Sequence, residues 1–494
     1  MSLPNFTEYQ PPGIYWTQTA TPLSVQTPGT PNGVAIVGPG VGYRTYSELI
    51  TLNGTTPTPL TKLGVANDAF IVVSSGSTIY TAGSDQDYTV AQTSGTDPTV
   101  LITSITRSAS TTIASGSTVT VTYHYTDANY YAPTNVSDLP SVENLYGVGQ
   151  GVDSNNNPII TSPLTLAAQY AIDNGARNIT LVAVPATSGV VSQNDLQTGV
   201  NKLAAVDGIG IIVPLPVGLS TDSNNLLTFT QNFSTYLTTQ ANTNSVFQFG
   251  MLGYETGASF GTYSAAISLA TDSNVTNDRL SVVYPNNVTV SAGATNQVVG
   301  GYYLAAALAG VLSSNPVQQG LTKQTVTDII GIEATTFNAM TTSVMKSLAS
   351  NGVLAVQYTR NGQMQVFHGV TTDSSSVYTK EISLVRAQDS MIDMIIQTLT
   401  NTNLIGSPIG PNTSSNIAGI VNAVLANMEL TGGISKYGSI SVTERTVNPT
   451  IMDVSFNYVP SYPLNYITVS FGIDTSSGAL SGASNSSGTI IPAT

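Results

Sequence analysis

The stretch over residues 353–473 constrains the fold of this chain more than any other part of the sequence. It opens with two short apolar segments joined at Asn361 and Gly362, a dipeptide typical of a tight hairpin turn. Two amphipathic segments follow and predict helices over 387–400 and 416–428, with a Gly/Pro break between them. The stretch closes on alternating apolar and polar residues. A strand so near the end of the chain needs a hydrogen-bonding partner, either in its own domain or in another chain.

The middle of the chain predicts a sheet flanked by helices. Between residues 138 and 350, strand and helix patterns alternate, and runs such as 178–186 and 209–217 are mostly apolar. Residues 70–132 differ, because short Thr-, Val-, Ile- and Tyr-rich segments are separated there by Gly, Ser, Asp and Asn. We therefore predict an α/β and α+β multidomain fold: a sheet-and-helix core with an inserted all-β domain and extended N- and C-terminal arms.

The predicted domain boundaries follow these changes in pattern. They are an N-terminal extended arm over 1–30, a main α/β domain over 31–69 and 133–380, an inserted β domain over 70–132, a C-terminal α+β domain over 381–475, and a Ser/Gly-rich tail over 476–494.

The N-terminal arm is rich in proline, which favours extended backbone over helix. Its apolar centre is a short strand pattern made by Gly13, Ile14, Tyr15, Trp16 and Thr17. In water this cluster would expose apolar surface at a cost, so we predict that the arm docks on another surface. The alternative is a disordered tail with an incidental tryptophan.

The sparse charge of the chain suits extensive contact between neighbours. Charged residues make up 8% of the sequence, against about 25% in typical domains. A surface of hydroxyl and amide groups lacks one common defence against self-association. The net charge of −14, without a basic run, argues against nucleic acid as a partner. There is no signal-peptide pattern and no apolar run long enough to span a bilayer, so we expect a soluble protein without direct membrane insertion.

Motifs for catalysis are missing from the sequence. His124 and His368 are the only histidines, and both lie in predicted strands. HExxH, GxSxG and P-loop patterns are absent, and Tyr43 stands where a dinucleotide fingerprint after Gly38 and Gly40 needs glycine. The absence of cysteine excludes disulfides and thiolate metal sites. We predict a protein that is not an enzyme, with no catalytic, cofactor-binding or metal-binding residues.

Five segments in order resemble the contractile tail sheath proteins of myophage-type bacteriophages. They are PPGIYWTQTA, GVAIVGPGVG, the Ser/Thr-rich module, DLPSVENLYG, and NGVLAVQYTRNGQMQVFHGVTTD leading into KEISLVRAQDSMIDMIIQTL. The resemblance implies a structural subunit that forms six-fold rings, stacked helically around a tail tube, and contracts to drive the tube through the host envelope. It implies partners in the tube, baseplate and tail terminator proteins, assembly in the host cytoplasm, and a final location in the virion.

The resemblance also implies roles for particular residues. Residues Gly13 to Thr17 would supply a subunit-linking strand. A second strand, exchanged with neighbouring subunits, would be formed by Tyr466, Ile467, Thr468, Val469, Ser470, Phe471, Gly472 and Ile473. Candidate contacts to the tube are Arg386, Asp389, Asp393 and Lys436. The competing hypothesis is a structural or adhesive surface-array or fibre protein, which the Ser/Thr-rich, weakly charged composition fits equally well.

Overall fold

The structure is a computed structural model of the chain. It describes residues 32–40, 43–65, 71–93, 102–126, 131–153, 157–187, 189–255, 261–292, 295–402, 404–465 and 467–468. Within these ranges the residues form an all-β module, a main α/β unit and a C-terminal α+β unit. Strands and helices are numbered below in chain order.

The all-β module consists of two antiparallel sheets around a core of its own. After β1 (Gly33–Pro39), which belongs to the main sheet, its strands are β2 (Tyr43–Leu52), β3 (Thr58–Pro59), β4 (Val72–Ser75), β5 (Thr78–Tyr80), β6 (Tyr88–Gln92), β7 (Thr103–Arg107) and β8 (Ser117–Thr126). The sheets have the orders β2-β8-β4-β5 and β3-β7-β6. Buried side chains between them include Leu52, Tyr88, Ile105 and Tyr123.

The module begins earlier than the predicted boundary at residue 70. Strand β2 pairs with β8 along its whole length, from Tyr43 opposite Thr126 to Leu52 opposite Ser117. Leu60 and Val65 are also buried in the core of the module. The described residues from 43 to 65 therefore belong to the β module, although the sequence pattern placed them in the main domain. Local patterns missed this pairing because its two strands are far apart in the chain.

The main unit alternates strands and helices as predicted. Its elements are β9 (Thr134–Val136), α1 (Leu139–Tyr146), β10 (Gln150–Val152), β11 (Pro158–Ile160), α2 (Pro163–Asp173), β12 (Ile179–Val184), β13 (Ala186–Thr187), β14 (Val190–Val191), α3 (Gln193–Lys202), β15 (Ile209–Pro214), α4 (Ser223–Thr243), β16 (Phe249–Leu252), α5 (Tyr263–Ala270), β17 (Leu280–Tyr284), β18 (Asn287–Ala292), β19 (Thr295–Gly300), α6 (Gly301–Ser314), β20 (Thr325–Val326), β21 (Ile329–Ile332), α7 (Ala334–Ala339), α8 (Thr342–Ser350), β22 (Val353–Tyr358) and β23 (Met364–Val366).

A nine-stranded sheet forms the centre of this unit, with the order β20-β23-β22-β17-β16-β15-β1-β12-β9. The six strands from β12 to β22 in this order are parallel. Helices α2 and α6 cover one face, and α3, α4, α5 and α8 cover the other. Burial on both faces explains why the central strands are apolar at nearly every position. The predicted hairpin is confirmed: β22 and β23 are antiparallel, and Gly362 has a φ of 76° at the turn.

The C-terminal unit joins two long helices to two β-ribbons. Its elements are α9 (Val377–Lys380), α10 (Ile382–Asn401), α11 (Thr413–Leu430), β24 (Ile434–Tyr437), β25 (Ser441–Glu444), β26 (Met452–Ser455) and β27 (Tyr458–Pro460). Strand β24 pairs with β27, and β25 pairs with β26. Both predicted helices are present and slightly longer than predicted. Ile382, at the start of α10, packs in the main core, whereas Met391 packs with α11.

Candidate functional site

The β-ribbons of the C-terminal unit offer open strand edges. Each ribbon has two strands within the described residues, and α11 packs against β24 and β25. Outer backbone N–H and C=O groups of such a ribbon can pair with a strand from another chain. Apolar side chains nearby are exposed, among them Leu430, Val447 and Leu464. Exposed apolar surface beside open strand edges is typical of an interaction site.

Residues 462–465, near the end of the described chain, form the root of the C-terminal segment and are held at the start of α10. Asn465 Nδ2 donates to Glu381 Oε1 at 2.9 Å, and His368 Nε2 lies 2.7 Å from the same oxygen. The hydroxyl groups of Tyr378 and Tyr462 are 3.2 Å apart. Glu381 immediately precedes α10 and is buried. A carboxylate is favoured there, because the start of a helix carries a partial positive charge. The root of the C-terminal segment is thus fixed to the main unit.

The first described residue of the chain is held by the same helix. Arg386 Nη2 donates to Asn32 Oδ1 at 2.8 Å, and Arg386 Nη1 donates to the Leu312 carbonyl at 3.1 Å. Burial lowers the pKa of Arg386 to about 10, while the neighbouring Asp389 opposes that shift. The guanidinium is therefore tied to the root of the N-terminal segment and to the end of α6.

Asp389 connects α10 to the central sheet. Arg279 Nε donates to Asp389 Oδ2 at 2.9 Å, and Arg279 Nη2 donates to Asp389 Oδ1. Arg279 immediately precedes β17, and its Nη1 also donates to Asp278 Oδ1 at 2.9 Å. Burial raises the pKa of Asp389 to about 6, and the facing guanidinium of Arg279 opposes this shift. This bidentate pair holds the helix against the main unit.

The predicted tube contacts do not form one surface. Arg386 and Asp389 are both buried, so in this structure they are not available to a partner. Both were candidates under the resemblance to sheath proteins, but their side chains face the buried partners Arg279, Leu312 and Asn32 and not solvent. The other two candidates, Asp393 and Lys436, are at least partly accessible.

The two remaining candidates have different surroundings. Asp393 is half-buried, and Gln397 Nε2 donates to its Oδ2 at 2.8 Å. Burial raises the pKa of Asp393, and the bond from Gln397 opposes the shift. Lys436 is exposed on β24. Contact of either residue with a tube stays a prediction.

Most of the predicted linking strands lie outside the described residues. This holds for Gly13, Ile14, Tyr15, Trp16 and Thr17, for Tyr466, and for Val469, Ser470, Phe471, Gly472 and Ile473. Ile467 and Thr468 are described; they are exposed and belong to neither a helix nor a strand. The sequence did not single out the residues that hold the roots, namely Asn32, Asn465, Glu381 and Arg279. The sequence did contain a signal for a buried role of Arg279. The chain has only 13 basic residues, and this one directly precedes an apolar strand.

The described residues offer few groups for chemistry. His124 lies in β8 as predicted, whereas His368 lies beyond the end of β23, and its predicted strand position was wrong. Among these residues no cluster of three His, Asp or Glu side chains is placed to hold a metal ion. No helix found there combines the length and apolar character needed to cross a membrane.

A pocket of about 310 Å³ lies between the starts of α3 and α4. The carboxyl group that lines this pocket belongs to Asp222. It caps α4 by accepting a hydrogen bond from the Asn224 N–H at 3.0 Å. The described lining residues contain no histidine, lysine or arginine. This carboxyl group therefore has a structural role at the helix start.

Sequence comparison relates the chain to one class of proteins. No family model matches it. A tail sheath protein of Mycobacterium phage Bxz1 is 28% identical over 365 residues, which is 74% of this chain and 60% of that protein. The match thus spans about three fifths of the length of this curated relative. The chain is similar in sequence to a tail sheath protein.

Solved structures show the same fold. The helical sheath of the anti-feeding prophage in its contracted state matches with a TM-score of 0.55 at 12% identity, covering 94% of this chain and 100% of that one. The PVC sheath complex of an extracellular contractile injection system, also contracted, matches with a TM-score of 0.52 at 14% identity, covering 71% of this chain and 90% of that one. The predicted fold class and the resemblance to contractile tail sheath proteins are confirmed.

Proposed function

We propose that this chain is the structural subunit of a contractile tail sheath, which polymerises around a tail tube and contracts to drive the tube through the host envelope. The observation that carries the proposal is the 28% identity to a tail sheath protein over 365 residues. The fold supports it, because a sheath in its contracted state matches this chain over 94% of its length.

The subunits are linked by strand addition between chains. Residues 13–17 and 466–473 supply extended segments that complete the ribbons β24–β27 and β25–β26 of neighbouring subunits. Support comes from the open edges of these ribbons and from the anchored roots of both segments on α10. Links of this kind keep subunits connected while their bodies change position.

The assembly consists of six-fold rings stacked helically around the tube. Baseplate and tail terminator proteins bind its two ends, assembly takes place in the host cytoplasm, and the finished sheath is part of the virion. Within the C-terminal unit, Asp393 and Lys436 are the proposed contacts to the tube. The role is mechanical and not enzymatic, with the energy for contraction stored in the packing between subunits.

Electron microscopy of truncated chains tests the linkage. The full-length protein at high concentration should form tubes or sleeves, whereas a chain without residues 1–20 should stay folded and monomeric. A chain without residues 476–494 serves as the control, because it keeps both linking strands and should still polymerise. Normal polymers from the chain without residues 1–20 would refute the linkage. Failure of the full-length chain to polymerise, even with tail tube added, would refute the sheath function.

A further inference from the structure

The roots of the two terminal segments lie on the same short part of α10. Arg386 binds Asn32 at the start of the described chain, and Glu381 binds Asn465 near its end. These two binding residues are five positions apart, a distance of about 7.5 Å along a helix. Residues near the two ends of the described chain are therefore held by neighbouring turns of one helix.

The start of α10 is also connected to the main unit at several points. The Ile382 N–H donates to the Gly369 carbonyl at 3.3 Å, and the Thr371 N–H donates to the Lys380 carbonyl at 2.8 Å. One turn further along, Asp389 holds Arg279. All residues from Ile382 to Ala387 are buried. Close-packed interiors transmit strain, so the loss of one partner at this buried helix start also disturbs its other contacts.

We propose that the start of α10 couples the two terminal segments, so that release of either root weakens the hold on the other. When Asn32 departs, Arg386 Nη2 loses its acceptor while the guanidinium remains buried. An unsatisfied buried donor is unfavourable, so Arg386 moves toward a new partner and shifts the helix turn that carries Glu381. The hold of Glu381 on Asn465 then weakens. Coupling of this kind is reciprocal, so release of Asn465 weakens the hold on Asn32 by the same factor.

The consequence for assembly rests on the proposed function. In a sheath linked by both terminal segments, displacement of one link changes the adjacent link of the same subunit. Glu381 and Arg386 are then positioning residues, because they act by holding the linking strands and not by contacting a neighbour. The coupling itself is a property of the single chain and is measurable without any polymer.

Limited proteolysis of the unassembled chain provides the test. Chymotrypsin cleaves after the exposed Leu464, which directly precedes Asn465 at the C-terminal root, and its rate follows the population in which that root is released. The substitution Asn32→Ala removes the acceptor of Arg386 at the opposite end of the chain. We expect cleavage after Leu464 to become about fivefold faster, as for the loss of one hydrogen bond. In the reverse direction, Asn465→Ala should speed hydrogen exchange at the Gly33 and Val34 amides, which bond to Gly208 and Asn178.

Two controls make the result decisive. Asn416→Ala changes an exposed residue of α11 and should leave cleavage unchanged. Glu381→Gln weakens the hold on Asn465 directly and should speed cleavage.

The proposal is overturned if Asn32→Ala is cleaved at the rate of the unaltered chain while Glu381→Gln is cleaved faster. It is also overturned if Glu381→Gln has no effect on the cleavage rate. Circular dichroism checks that each variant is folded. Unchanged cleavage of Asn32→Ala would refute the coupling but not the sheath function. Failure of the full-length chain to polymerise would refute the sheath function but not the coupling.

Discussion

At the scale of single residues, the buried charges beneath α10 are the most consequential in a chain that has few. Arg279, Arg386 and Asp389 are each largely excluded from solvent. A buried ion pair adds little net stability, because both charges must lose water, but removal of one partner leaves the other charge uncompensated. These residues therefore make the position of α10 sensitive to substitution.

Replacement of Asp389 by asparagine tests this dependence. Because Arg279 would keep its buried charge with only the Asp278 carboxylate as an ionic partner, we expect the free energy of unfolding to fall by about 3 kcal/mol, near the lower end for a broken buried pair. The midpoint of urea unfolding measures the change, with Asp207→Asn at an exposed position as the control. An unaltered midpoint for Asp389→Asn would show that the pair does not hold the helix.

Asp87 in the β module gives a pH-dependent prediction. Its carboxylate accepts from the Thr81 N–H at 3.0 Å, the Thr111 hydroxyl at 2.9 Å and the Thr112 N–H at 3.2 Å. Of these bonds the one from Thr81 contributes most, and together they lower the pKa of Asp87 from 3.8 to about 2. A carboxyl group with a lowered pKa stabilises the fold above its unfolded pKa, and that contribution is lost as the pH falls through the folded value.

This direction of the pH dependence predicts how the stabilities of the unaltered chain and the variant Asp87→Asn differ. Asparagine cannot be ionised, so the variant lacks the contribution at every pH. We expect the difference in melting temperature between the two to be largest near about pH 6 and to shrink toward about pH 2. Asp85→Asn, at an exposed position nearby, should melt like the unaltered chain at both values. A difference that stays constant with pH would contradict the role assigned to the carboxylate.

At the scale of elements, α6 and α11 differ in how closely their neighbours approach. A Cβ atom on Gly310 of α6 would lie 2.3 Å from the Ala171 carbonyl oxygen of α2. A Cβ atom on Gly419 of α11 would have no neighbour within 4 Å. Glycine thus permits close helix packing at the first position, whereas at the second it only lowers helix propensity.

Alanine at these two positions should have opposite effects. Gly310→Ala forces α2 and α6 apart and should destabilise the chain by about 1–3 kcal/mol. Gly419→Ala should stabilise it, by up to about 1 kcal/mol, because alanine has the higher helix propensity. Urea unfolding of both variants measures the contrast. If Gly310→Ala is stabilising as well, the close approach of α2 and α6 is incorrect.

Elements specified by neighbouring residues could be predicted, and those specified by distant partners could not. The turn at Gly362 was predictable because a positive φ favours glycine, and the two strands that the turn joins lie within a few residues of it. Strand β2 was assigned to the wrong unit because its partner β8 lies far along the chain. Asp389 was named as a candidate contact, but its buried partner Arg279 lies 110 residues away in the sequence. Helical periodicity distinguishes polar from apolar faces; it does not distinguish water from a buried guanidinium.

At the scale of the whole molecule, the β module is attached to the main unit at two adjacent points. Tyr43 and Thr126 are paired residues of β2 and β8, so their Cα atoms are about 5 Å apart. The buried core of the module contains no residue of the main sheet. We therefore propose residues 43–126 as the module in place of the predicted 70–132.

Excision tests this boundary. A chain in which a short Gly/Ser linker replaces residues 43–126 should keep the main unit folded and should still polymerise, since the linking segments are unaltered. Replacement of residues 72–126 alone should give an aggregating protein, because β2 would lose its partner β8. Circular dichroism and electron microscopy report folding and assembly. Polymerisation after the smaller excision but not the larger would contradict the boundary.

The adjacency of Tyr43 and Thr126 also matters for the evolution of the gene. Two attachment points that coincide in space allow a whole module to be gained, lost or exchanged by recombination without disturbance of the strands on either side. The part of the chain most open to such replacement is then separate from the part that holds the terminal segments. The β module can therefore diversify while the main and C-terminal units, encoded by the same gene, are retained.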